Sequence, residues 1–398
     1  MPWSTPLLGV EFNGSVSQRI VAMSKTFVRK FYKHFETVSD PRINRGVNYP
    51  LIEIIFLTLC ATICGADTYA DVERYGKSKL AWLRAFLPFE LGIPSHDTIS
   101  RVFARLDSLE FFACLQDWST DIAGTLKGQT VALDGKTLRG SFDTQSAKSP
   151  LHSVSAFVCG LKMCIGLKAI DAKTNEIPAV QELISMLELE GAVVTADAMH
   201  CQKKTVDAIR AKKADYLLTV KGNQSNLESA LLDSLVDHFE NAPEKMRTNR
   251  TQEDGHGRTE TREVTVCPVP ITPSFAEWTD VKTIGCVHRT RTVNGICSEE
   301  TEYFITSLPC KVKAIARHLR SHWRIENSLH HILDVTFTED SSRIRNGTGP
   351  EISAAFRRLA LNILQVDTSI KDWIRGKRKR CGWDDSALAK VLACFSKV

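Results

Sequence analysis

No stretch of this chain supplies the roughly 20 uninterrupted apolar residues that a bilayer-crossing helix needs. The most apolar stretch, Leu51 to Ala66, is broken by Glu53 and reads as a core helix. No charged n-region and apolar h-region opens the sequence, so a secretory leader is not expected. The 12 cysteines lack the paired two-residue spacing of a zinc ribbon, as Cys60/Cys64 and Cys159/Cys164 illustrate. They are scattered through apolar segments and read as reduced, buried small hydrophobes of a cytoplasmic protein. No G-x-G-x-x-G follows the first strand, which excludes a dinucleotide-binding opening. An excess of one charge is also missing: 51 Lys and Arg against 46 Asp and Glu leave a net +5. Whole-chain charge therefore says little about a polyanionic partner, and local clusters carry the argument.

With 398 residues, the chain can bury a large core and form two or three regions. Residues 1–24 read as a loose leader, without a sustained hydrophobic period. Residues 25–128 read as an all-helical N-terminal region. There Phe27, Phe31 and Phe35 recur at helical spacing, Asp67 is placed to cap a helix, and Ser95 and Ser108 precede two more. The helix Ser95 to Leu106, after a Gly-Ile-Pro-Ser turn, is a candidate helix-turn-helix reader or simply one helix of a bundle.

From Gln129 the pattern changes to strands at Val131 to Asp134, Val154 to Leu161 and Cys164 to Asp171. A helix Ala179 to Leu189, a strand into Asp197, a helix Gln202 to Lys212 and a strand Tyr216 to Lys221 follow. This order predicts an α/β class with an RNase H-like mixed-sheet core over residues 129–222 and 309–350. Residues 223–308 read as a helix plus a β-rich insertion, with strands Glu260 to Cys267, Val281 to Arg291 and Thr301 to Thr306. Residues 351–398 read as a basic helical C-terminal region. Its run Arg375-Gly376-Lys377-Arg378-Lys379-Arg380 suits phosphate contact, or else is a solvated helix end.

Two acids end apolar strand-like runs: Asp134 after Thr130-Val131-Ala132-Leu133, and Asp197 after Ala192-Val193-Val194-Thr195-Ala196. Open α/β sheets build sites where such strands run out. Each acid also has a purely structural reading, Asp134-Gly135 as a turn and Asp197 as a helix cap. A third acid, Glu326, sits in a predicted helix Lys313 to Phe337, near the apolar stripe Ile315, Leu319, Leu329 and Leu333. His322 and His330 lie one turn to either side, and a core-facing carboxylate needs a partner.

Three such acids suit two Mg²⁺ or Mn²⁺ ions about 4 Å apart, which activate the attacking oxygen of a phosphodiester and stabilise the leaving one. Asp134 would bridge both ions. A competing reading takes His322, Glu326 and His330 as zinc ligands, but it leaves both strand-end aspartates idle. A glycosidase-type carboxylate pair would leave the basic clusters unexplained.

Several ordered segments carry a resemblance. They are Ile93-Pro94-Ser95-His96-Asp97-Thr98-Ile99, Leu133-Asp134-Gly135-Lys136-Thr137-Leu138-Arg139 and Thr195 to Lys204. Further on come Val220-Lys221-Gly222-Asn223-Gln224, His256-Gly257-Arg258, His322 to His330 and Phe337-Thr338-Glu339-Asp340. From about Phe35 onward the chain resembles the H-repeat-associated proteins and related insertion-sequence transposases of the DDE group.

The resemblance implies an RNase H-like core with the catalytic, metal-holding triad on Asp134, Asp197 and Glu326. It implies metal-dependent cleavage at element ends and attack of the freed 3′-hydroxyl on target DNA, by a bacterial homo-oligomer assembled on double-stranded DNA at the nucleoid, with no membrane partner. A catalytically silent DNA-binding remnant and a simple nuclease are the alternatives. Candidate DNA contacts are Lys136, Arg139, His200, Lys221, Asn223, Gln224, His256, Arg258, His322, Arg324, Arg343 and Arg345. In the wider group Tyr, Arg and Lys often surround the glutamate. Here those positions hold Leu319, His322 and Leu333, so the phosphate contacts assigned there do not carry over, and Arg320, Arg324, Arg343 or Arg345 are candidates to replace them. Trp323 is a candidate to stack on a flipped base, or is a core aromatic.

Overall fold

The computed structural model describes residues 26–42, 47–142, 149–170, 175–255 and 257–395. The expected leader, residues 1–24, and His256 lie outside the described residues. The N-terminal region is helical: α1 (26–35), α2 (Leu51–Ile63), α3 (Tyr69–Leu83), α4 (His96–Phe103) and α5 (Ser108–Ala123). In α2 every residue but Ile52 is buried, the mark of a central helix that needs no polar face. The cap of α3 is Thr68 rather than Asp67, and it forms a reciprocal capping box with Asp71. Ser95 caps α4 as its position suggests, whereas α5 is capped by Asp107, one residue before Ser108.

The sheet elements are β1 (Thr130–Leu138), β2 (Leu151–Val158), β3 (Met163–Ile170), β4 (Val193–Ala196), β5 (Asp215–Val220), β6 (Arg247–Gly255), β7 (Arg258–Pro268), β8 (Thr283–Val293) and β9 (Ile296–Thr306). Helices α6 (Glu176–Met186), α7 (Lys203–Ala211), α8 (Ser225–Asn241) and the short α9 (Pro273–Ala276) lie between them. After β9 come α10 (Val312–His322), α11 (His331–Phe337), α12 (Gly349–Val366), α13 (Ile374–Trp383) and α14 (Asp385–Phe395).

All nine strands of the described residues join one sheet in the order β3-β2-β1-β4-β5-β9-β8-β7-β6. Strands β1, β4 and β5 are parallel, while β2 and β3 form an antiparallel flank. A helical N-terminal region followed by this mixed core is the expected RNase H-like architecture. The β-rich segment extends the core sheet edge to edge through antiparallel pairing of β5 with β9. Strand β6 is additional to the expected strands: its residues are mostly exposed, so it carries no apolar alternation to reveal it.

Side-chain alternation sorts the two faces of the sheet. Val131, Leu133, Val194 and Leu218 pack with α6, α7 and α8. The opposite face, with Ala132, Phe157 and Cys164, packs against the N-terminal helices, α11 and α12. Asp134 follows Ala132 by two residues and therefore belongs to this second face, the one covered by the chain segment that carries Glu326.

All 12 cysteines are free and most are buried. No helix among the described residues is long and apolar enough to cross a membrane.

Candidate metal centre

Parallel pairing of β1 with β4 ends at Leu133 opposite Ala196, which puts Asp134 and Asp197 next to each other. Asp134 is not at the end of its strand, because β1 runs on to Leu138 paired with β2 alone. Its side chain is nonetheless 19% exposed, whereas that of Asp197 is 65% exposed. Gly135 serves packing rather than a turn: a Cβ there would meet the Glu176 carboxylate at 2.5 Å.

The third acid arrives on a distorted element. The expected single helix is α10 followed by a turn at Trp323, a π-helical turn Glu326–His330 and then α11. In the π turn the His331 N–H donates to Glu326 O, five residues back, a geometry common at functional sites. It buries Leu329 and His330 while Glu326 stays 55% exposed. His330 Nδ1 stands 3.4 Å from Asp134 Oδ2 and 3.8 Å from Glu326 Oε2. Among the described residues, Asp134, Glu326 and His330 form a group whose candidate ligand atoms lie within 4.8 Å of one another. His330 Nε2 is buried without a hydrogen-bond partner among the described residues. Asp197 is outside that tight group and faces His322 Nε2 at 3.5 Å, and His322 Nδ1 is 3.0 Å from Thr195 Oγ1.

Electrostatics separate the acids. Burial pushes the Asp134 carboxyl up to about 6, with Asp197 and Glu326 adding repulsion and His330 offsetting part of it. Contact with His330 holds Glu326 below its ordinary value, and contact with His322 does the same for Asp197. Oxygen-rich, anionic and partly open, this donor set fits a hard divalent cation with positions left for substrate oxygens.

Glu176 carries no signal in the sequence that marks it as a site residue. Its carboxylate spans His152 Nε2 at 2.7 Å and His200 Nε2 at 2.9 Å. Burial alone would raise its pKa, but those two contacts prevail and hold it at about 2. His200, expected to touch DNA, is thus turned inward onto Glu176. Lys136 is likewise buried, with Nζ at 2.6 Å from Asp334 and 3.2 Å from Asp340.

The remaining candidate contacts are more open. Arg139, Lys221, Asn223, Arg258, Arg324 and Arg343 are exposed; Lys221 lies 3.3 Å from Glu302, and Asn223 donates to Ala198 O. Gln224 is half-buried and donates to Cys201 O, and Arg345 lies over the Phe142 ring. Beside Asp197 is a cavity of about 290 Å³ whose lining includes Arg262, Arg289, Arg320, His322 and Trp323. Trp323 is not a core aromatic: it is 41% exposed, with the Arg289 guanidinium 5.4 Å from its ring centre.

A family model described as "Transposase DDE domain" matches residues 125–363. The chain belongs to the DDE transposase family. A second model, described as DDE_Tnp_1-associated, covers residues 32–119 of this family member, the helical region. The transposase-family chain is 38% identical over 379 residues to "Putative transposase YncI" of Escherichia coli O157:H7, covering 93% of this chain and 96% of that one. It is 35% identical to "H repeat-associated putative transposase YhhI" of Escherichia coli strain K12, covering 92% and 98% respectively. Among solved structures, a piggyBac transposase synaptic complex with hairpin DNA aligns over 91% of this chain and 79% of that chain, at 11% identity and a TM-score of 0.39, too loosely to argue from.

Proposed function

We propose that this transposase-family chain cuts double-stranded DNA at the terminal repeats of an insertion element and joins the freed 3′ ends to target DNA, using two Mg²⁺ or Mn²⁺ ions. The observation that carries the reading is the meeting of Asp134, one residue past the last β1–β4 pair, with Asp197 beside it and with Glu326 and His330 delivered by the π turn. Asp134, central to the group and the acid most penalised for its charge, would be the first residue to hold the ions. Glu326 and Asp197, both largely exposed, would complete the ligand set. When bound, the ions supply Lewis-acid activation of a water or 3′-hydroxyl and stabilise the leaving oxygen. His330 and His322 hold Asp134, Glu326 and Asp197 in place, and the exposed Arg139, Lys221, Arg324 and Arg343 would meet backbone phosphates. Pairing two element ends calls for a homo-oligomer on DNA.

The test is a cleavage and joining assay on end-bearing DNA with Mn²⁺ or Mg²⁺, run beside a gel shift. Asp134→Asn, Asp197→Asn and Glu326→Gln should each lower cleavage by about 10²-fold or more and keep DNA binding. Binding without cleavage by the unaltered protein would support the silent-remnant reading, and cleavage without joined products a nuclease.

A further inference from the structure

The basic run Arg375 to Arg380 divides in two once folded. Lys377 and Arg378 turn inward. Lys377 Nζ donates to Leu364 O at 2.9 Å and pairs with Asp367 Oδ2 at 3.0 Å. Arg378 reaches Thr62 O and Asp67 at 3.1 and 3.2 Å, donates to Thr336 O and lies 4.2 Å over the Phe337 ring. These two cations staple α13 to α2, α11 and α12, so they are not available to an external anion. With Cys381 they define the buried side of α13.

The opposite side of the same helix carries Arg375, Lys379, Arg380 and Trp383, at the spacing that lines one helical face. Arg375, Lys379 and Arg380 are exposed and make no ion pair among the described residues. An indole stands at each end: Trp373 is 87% exposed and Trp383 is 76% exposed. Ten residues of helix separate them by about 15 Å. Trp383 also forms one wall of a cavity of about 330 Å³ between α13 and α14, whose lining includes Arg380, Lys390 and Asp384. Asp384 is already occupied, accepting from Ser386 N and Oγ at 2.8 and 3.0 Å. Asp372, the other acid at this face, accepts from Trp373 N at 2.8 Å. Arg375, Lys379 and Arg380, without an ion pair among the described residues, are thus left for an anionic ligand, and the flat rings for a planar one.

We infer that this outer face of α13 is a binding surface for single-stranded DNA, with one unpaired nucleotide seated in the cavity of Trp383, Arg380 and Lys390 and the strand running along Arg375 and Lys379 toward Trp373. Phosphate attraction accounts for the cations, but a duplex keeps its base faces stacked internally and would leave both indoles in water. Unpaired bases stack on aromatic rings irrespective of sequence. The inference rests on the proposed function only for the origin of such a strand, at an opened DNA end. The binding itself needs none of the acids Asp134, Asp197 and Glu326.

The test uses the full chain in EDTA, titrated into labelled oligothymidine long enough to span both indoles, and into a blunt duplex of equal length. The double variant Trp373→Ala/Trp383→Ala should bind oligothymidine about tenfold or more weakly, with duplex affinity and melting temperature unchanged. The triple variant Arg375→Gln/Lys379→Gln/Arg380→Gln should flatten the logarithmic salt dependence for oligothymidine by about 2. Unaltered oligothymidine affinity in the tryptophan variant would overturn the inference. So would a change in its sedimentation mass without loss of oligothymidine binding, which would make the face a contact between copies. A wild-type protein that binds oligothymidine here but never cleaves end-bearing DNA would sink the proposed function and leave this surface standing.

Discussion

On the floor of the acidic site, Asp134 keeps 19% of its side chain exposed and lies against His330, while at the rim Asp197, one strand across, keeps 65% exposed and lies against His322. Residue type and sheet are the same, yet burial raises the first carboxyl to about 6 and His322 pulls the second below its ordinary value. The floor holds charge at a cost that only a cation or a proton relieves. The rim is already solvated. Architecture built around the floor should therefore matter to stability, and architecture around the rim mainly to the chemistry.

The largest expected effect comes from the brace beneath the floor. Asp134 is paired across the sheet with Ser155, whose Oγ accepts from Arg358 Nε at 3.2 Å. Arg358 Nη1 in turn donates to Glu339 Oε1 at 2.8 Å, and both side chains of that pair are fully buried. Glu339→Ala would leave a buried guanidinium uncompensated, a loss of about 3–5 kcal/mol by urea unfolding. Among the described residues, no comparable buried ion pair underlies Asp197. A loss near zero would mean that the floor is not held from below.

Next in size is a stability gain. A carboxyl that titrates near 6 in the fold against 3.8 unfolded penalises the ionised folded state by about 2–3 kcal/mol. Asp134→Asn should therefore stabilise the metal-free protein by up to that amount above pH 6, and the gain should shrink as pH falls toward 3.8, where both states carry the proton. Asp197→Asn should show no such gain, since its folded pKa is lowered. Unfolding curves of the three proteins in EDTA across this pH range check the contrast, and equal gains from both variants would erase the distinction between floor and rim.

How much of this was legible depends on whether a feature is local. The continuous apolar runs Thr130 to Leu133 and Val193 to Ala196 reveal both strands and both aspartates, because a strand buried on both faces writes its own apolar run. Asp134 reads as a strand end because the apolar run stops there, with Asp-Gly as a turn the competing reading, whereas β1 runs on to Leu138 and the glycine is needed where Glu176 closes on β1. Glu176 itself sits 41 residues from Gly135 in the chain and carries no local signal. Lys136, Lys377 and Arg378 announced charge but not their partners; Asp334 is 198 residues from Lys136. The π turn shifts hydrogen bonds without altering composition, so a uniform helix was the only reading available there. His330, four residues after Glu326, was legible as a neighbour of the glutamate, though not as a neighbour of Asp134.

The smallest expected effect belongs to the rim. His322 bridges Thr195 Oγ1 and Asp197 Oδ1, at 3.0 and 3.5 Å, and so fixes the direction of a carboxylate that is otherwise free in solvent. It occupies the position four before the glutamate where an arginine is frequent in the wider group, yet it is turned toward Asp197 and only 15% exposed. Partners that orient a metal-holding group typically contribute about 10- to 100-fold to affinity or activity. The solvation of Asp197 puts His322→Gln at the low end, about a tenfold rise in the Mn²⁺ concentration needed for cleavage, with melting temperature little changed because the charged half of the pair, Asp197, is 65% exposed and such a pair adds little to stability. A Mn²⁺ titration of cleavage beside a melting curve separates the two effects. If His322→Gln instead weakens DNA binding in EDTA, its role is contact with phosphate rather than orientation of Asp197, and the rim would belong to the DNA surface.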